Sequence, residues 1–105
     1  MIEILQNKAN TEKIEFNASD GEEVLGTCAG VLEGDCFVFD TLECDDFFAD
    51  GLVRAILNLM DLHGVEKARF ALSEENLGRL RKVGILCDGA QIESIAEFFD
   101  GKHCG

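Results

Sequence analysis

The sequence predicts an α/β (α+β) domain with a mixed, mostly antiparallel sheet and one parallel β-α-β crossover. Three observations predict it. The first part of the chain breaks into short β-type runs separated by turn residues. An apolar stripe with helical spacing follows: Phe48, Leu52, Ala55, Ile56, Leu59, Met60 and His63. A short strand-type segment, Lys67 to Leu72, comes next, and strand–helix–strand units of this kind make right-handed parallel connections. A ferredoxin-like sandwich is the alternative arrangement of the same elements.

At 105 residues, 47% of them hydrophobic, the chain fits one domain with a real core, residues 1–105. Nine Lys and Arg stand against 21 Asp and Glu, a net charge of −12. Such a field repels polyphosphate backbones and anionic lipid, so neither nucleic acid nor membrane is expected as a partner. Acidity of this kind serves solubility.

The elements follow in order. Ile2 to Leu5 and Lys13 to Asn17 read as strands around a polar turn at Asn7 to Asn10. Ser19-Asp20-Gly21 is a second turn signal. Glu23 to Leu32 and Cys36 to Cys44 flank Glu33-Gly34-Asp35 and read as a hairpin. The long helix opens in the acidic run Asp45, Asp46, Asp50, with Asp46 as the expected N-cap, and Gly64 ends it. After the Lys67 to Leu72 strand, Ser73 is an N-cap, with Glu74 and Glu75 in the first turn and Arg79, Arg81 and Lys82 near the end. Gly84 stops this second helix. Ile85 to Cys87 reads as a short strand, and Gln91 to Phe99 as a last helix.

These residues resemble the central part of GNAT-family acyl-CoA-dependent N-acyltransferases. The hairpin, the Ala49 to Val65 helix, Asn76 and the Lys82-Val83-Gly84-Ile85 segment carry the likeness, over roughly residues 22–86. Residues 1–21 would then be N-terminal strands and 87–105 a C-terminal helix and tail. The resemblance implies acetyl-CoA as cofactor and an amine as acceptor. It implies backbone contacts to the acyl group from Phe39, Asp40 and Thr41, with Ala49 and Asn76 also at the cofactor. Asp40 is the candidate general base.

The family's loop before the long helix, Q/R-x-x-G-x-G/A, has amides aimed at a pyrophosphate. Here Cys44, Phe47 and Ala49 take its key positions, and only Ala49 fits. Glu43, Asp45, Asp46 and Asp50 surround the place where an anion would sit. Many family members have a tyrosine four residues before the later glycine; this chain has Leu80 there and no Tyr at all. The family's amino-terminal helix pair and its last strand are not legible. A non-catalytic GNAT-fold module, acting by dimerisation or partner binding, is therefore the alternative to an acyltransferase.

The five cysteines form no C-x-x-C pair, and with two histidines they make no zinc pattern, so no metal is expected. Free thiols in a reducing, cytoplasmic setting are expected. The N-terminus lacks a basic region followed by an apolar run, so no signal peptide is expected. Leu52 to Leu62 is too short and too interrupted to span a bilayer. Cys28, Cys36 and Cys44 read as small buried hydrophobes, His63 as structural, and the His103-Cys104 pair as inert. Val53, Leu57 and Leu62 widen the long helix's apolar surface. Leu57 and Leu62, with Phe47 and Phe48, are expected to be partly exposed and to support a homodimer.

Overall fold

The structure, a computed structural model, describes residues 2–101. Four strands open the chain: β1 (Glu3–Gln6), β2 (Ile14–Ser19), β3 (Val24–Glu33) and β4 (Cys36–Glu43). Then come α1 (Asp46–Leu62), β5 (Lys67–Phe70), α2 (Glu74–Lys82), β6 (Gln91–Ile92) and α3 (Ile95–Phe99). The strands lie in the sheet in chain order, β1 to β6. Only β4 and β5 are parallel, joined through α1; the other neighbours are antiparallel. A ferredoxin-like sandwich begins β-α-β, whereas here four strands precede the first helix. The mixed sheet with a single crossover is therefore the fold.

Polar turns set the hairpin registers. Asn10 Oδ1 accepts from the amides of Glu12 and Lys13, and Asp20 Oδ1 from those of Glu22 and Glu23. Gly21 and Gly34 adopt positive φ at the turns that follow β2 and β3. One face of the sheet carries Phe37, Phe39, Ala68, Phe70 and Ile92, which share a single core with all three helices. Ala29 and Val38 are buried but lie outside that core, on the opposite face. That face also carries polar pairs, with Asn17 Nδ2 donating to Thr27 Oγ1 at 3.1 Å.

The C-terminal part differs from expectation. Ile85 to Cys87 is not a strand: the amides of Ile85 and Leu86 both donate to the Leu80 carbonyl, folding the segment back on α2 with both side chains buried. Gln91–Ile92 is not helical but pairs with β5 as β6, the last strand. Only Ile95–Phe99 forms a helix, capped by Ser94, whose Oγ accepts from Glu97 N at 3.2 Å.

Helix α1 also differs at its start. Its N-cap is Asp45, not Asp46, and the Asp45 side chain makes no capping bond. The helix is buried on two sides. Leu52, Val53, Ile56 and Leu57 have no exposed surface, so Leu57 is core and not the exposed residue expected. Phe47 and Leu62, at the two ends, remain 81% and 76% exposed.

Candidate functional site

Strands β4 and β5 run together only from the Cys36–Lys67 pair to the Phe39–Phe70 pair. Ala71 N adds one more bond, to Phe39 O at 2.8 Å. Beyond it β5 turns into α2, while β4 continues to Glu43 paired only with β3. The divergence starts at a bulge. Ala29 faces Thr41 and Gly30 faces Phe39, which leaves Asp40 as the extra residue of β4.

The mouth of this splay is bridged from α2. Ser73 caps that helix, its Oγ accepting from Asn76 N at 3.2 Å. The helical register then places Asn76 and Arg79, three residues apart, on the same face toward β4. Asn76 Nδ2 donates to Leu42 O at 3.2 Å, and Arg79 Nη2 donates to Cys44 O at 2.6 Å. Arg79 Nη1 also donates to Asn76 Oδ1 at 2.8 Å, and Nε to Asp46 Oδ1 at 2.6 Å. Partial burial works against the Arg79 charge, but Asp46 and Cys44 together outweigh it and hold the guanidinium above its ordinary value.

A cleft of about 530 Å³ lies outside this bridge, lined by Cys44, Asp45, Asp46, Phe47, Glu75 and Arg79. A smaller one of about 170 Å³ adjoins it at Asp46, Ala49, Arg79, Lys82 and Val83. Neither reaches into the splay. At the last paired position before the splay, the Phe39 and Phe70 rings are stacked with centroids 4.4 Å apart and planes 2° from parallel, both buried in the core.

The residues expected at the site fall into two groups. Ala49, Asn76 and the backbone of β4 converge at the bridge. Phe39 is core. Asp40 and Thr41 face elsewhere: Asp40 Oδ2 is 3.0 Å from Lys13 Nζ, and its Oδ1 accepts from Thr41 Oγ1 at 2.9 Å. Arg79 was legible only as a charge complementing the helix dipole. The signal that would have singled it out is its i,i+3 spacing from Asn76.

An acyl-CoA combines a phosphate-rich head with an extended arm bearing two amides, and the residues present do not fit it. Two carbonyls at the free end of β4 are already engaged by Asn76 and Arg79. Where phosphates would meet the start of α1, Asp45 and Glu75 line the cleft beside the Asp46–Arg79 ion pair, and each unpaired like charge at such range costs about 1 kcal/mol even in water.

Among the described residues no group of three or more His, Cys, Asp or Glu is placed to hold a metal ion. None of their helices is long and apolar enough to cross a membrane. Cys28, Cys36 and Cys44 are free thiols. Burial pushes all three up; Arg69 partly offsets this for Cys36 and Arg79 for Cys44. Cys87 is disulfide-bonded, contrary to the expectation of free thiols throughout. His103 and Cys104 lie outside the described residues. His63 is exposed at the end of α1.

No family model and no curated protein matches the sequence. Solved structures do match the fold. A probable acetyltransferase from Staphylococcus epidermidis superposes with a TM-score of 0.61 at 13% identity, over 74% of this chain and 55% of that one. An IAA acetyltransferase from Bacillus cereus gives 0.62 at 11% identity, over 80% and 76%. A GNAT-family acetyltransferase from Staphylococcus aureus gives 0.55 at 10% identity, over 73% and 52%. The fold is that of the GNAT superfamily, and the chain spans about half the length of two of these three proteins.

Proposed function

We propose that this GNAT-fold chain is a non-catalytic module that acts by protein contact and not by acyl transfer. The observation that carries this reading is the state of the one candidate base. Both Asp40 carboxylate oxygens are engaged, by Lys13 and by Thr41, away from the mouth between β4 and α2. The position where related enzymes carry a tyrosine acid is a buried leucine, Leu80, and the chain has no tyrosine. A general base or acid must reach the proton that it moves. Contact with a protein, a second copy included, asks for none of these groups. The exposed Phe47 ring is available for it.

The competing reading is an acetyl-CoA-dependent N-acyltransferase, favoured by the shared fold alone. Thiol release from acetyl-CoA, measured over a panel of primary amines, separates the two. The expected result is no release above the protein-free blank. A rate that Asp40→Asn abolishes would reinstate the enzyme.

A further inference from the structure

The carbonyls of Leu42, near the end of β4, and Cys44, one residue past it, both accept from α2 side chains and so lie on the same edge. That edge faces β5, where Phe39 O, before the bulge, accepts from Ala71 N. Past Phe70 there is no strand left to supply donors. An open strand edge of this kind is a ready acceptor row for any extended, amide-bearing chain.

We infer that Asn76 and Arg79 form a built-in surrogate strand, and that their side chains close this edge of β4 to extended ligands, the amide arm of an acyl-CoA included. The donors run in order along the edge: the Ala71 amide on Phe39, the Asn76 amide on Leu42 and the Arg79 guanidinium on Cys44. Two further contacts hold the donors in place. Arg79 Nη1 bonds Asn76 Oδ1, and Arg79 Nε bonds Asp46 Oδ1, so the guanidinium fork is fixed on three sides. Asn76 is in turn fixed through its own amide on the Ser73 cap. Opening the edge would therefore break several bonds together. The cleft of this fold is turned from a ligand site into a joint between α2 and the end of β4.

This inference rests on the non-catalytic reading but fails separately from it. Calorimetric titration of the wild-type chain with acetyl-CoA is expected to show no binding at about 100 μM. Tighter binding without turnover overturns the surrogate strand and leaves the non-catalytic reading standing; turnover overturns both. Asn76→Ala/Arg79→Ala is expected to lower Tm by about 5–10 °C and to speed hydrogen exchange along α2 at least tenfold. If that variant does not fold, Arg79→Lys carries the test. It keeps a charge beside Asp46 but loses the fork, and a Tm about 2–5 °C lower is expected. A Tm within 1 °C of wild type in whichever variant is read means that the bonds do not join α2 to β4, and the inference falls.

Discussion

Gly30 and Val38 stand so close across the β3–β4 ladder that a Cβ on Gly30 would lie 2.2 Å from the Val38 carbonyl oxygen. The same Cβ would meet the Phe37 ring at 2.7 Å. Backbone cannot move away without disturbing the bulge that starts at Asp40 and the splay that follows it. Gly30→Ala is therefore expected to cost about 2–4 kcal/mol in urea unfolding. Gly78, exposed in α2 with nothing within 4 Å of an added Cβ and no positive φ, is the control. Gly78→Ala should stabilise the chain by up to about 1 kcal/mol, through helix propensity and a less flexible unfolded state. Equal effects of the two substitutions would refute this account.

Glu15 supplies a pH-dependent element. Its Oε2 accepts from Asn7 at 2.9 Å and from Asn17 at 3.0 Å, and its Oε1 accepts from Asn10 at 3.0 Å. These bonds hold its carboxyl below the ordinary value of 4.5. A lowered folded value means that the unfolded chain takes up the proton first. The contribution is complete above pH 4.5 and is lost as pH falls through the lower folded value. Glu15→Gln should therefore flatten the acid limb of stability against pH. In a carboxyl NMR titration Glu15 should titrate below the ordinary value of 4.5, and Asn10→Ala should move it upward.

The sequence carried the sheet and the crossover clearly, because turn residues and helical spacing both mark them. The α1 stripe and the Ser73 cap needed no tertiary information. The end of the chain was harder to read. Ile92, Ile95, Ala96 and Phe99 have helical spacing, yet Ile92 belongs to a two-residue strand fixed only by its neighbour Ala68. Ile85 and Leu86 are apolar because they cover α2, not because they extend. At the site, residue types showed that the cofactor loop was altered. They did not show that Asn76 and Arg79 reach β4, because those contacts join positions 34 and 35 residues apart.

Thiol reactivity should follow burial. Cys28 is fully buried, and loss of hydration pushes its thiol far up, with Cys44 and Asp40 adding to the rise. Cys36 and Cys44 are half-buried and raised less. At pH 8 iodoacetamide is expected to leave Cys28 unmodified until the chain unfolds, and to label Cys36 and Cys44 more slowly than a free peptide thiol. Mass spectrometry of digests reads the order. Rapid labelling of Cys28 in folded protein would contradict the packing of β3 against α1.

Self-association has to be tested away from Leu57. The apolar surface of α1 suggests this residue as a dimer contact, but it is fully buried, and a carboxylate there would lose its hydration. Leu57→Glu is expected to cost at least about 4 kcal/mol, a large share of the stability of a chain this small, and to abolish the folded signal in circular dichroism. The exposed apolar residues of α1 are Phe47 and Leu62, at opposite ends of the helix. Leu62→Glu and Phe47→Ser should both keep the fold within about 0.5 kcal/mol. If the protein acts as a homodimer, light scattering should give twice 11.5 kDa for wild type at micromolar concentration, and one of these two variants should shift it toward one chain. A wild-type mass of one chain at every concentration would leave a different protein as the partner.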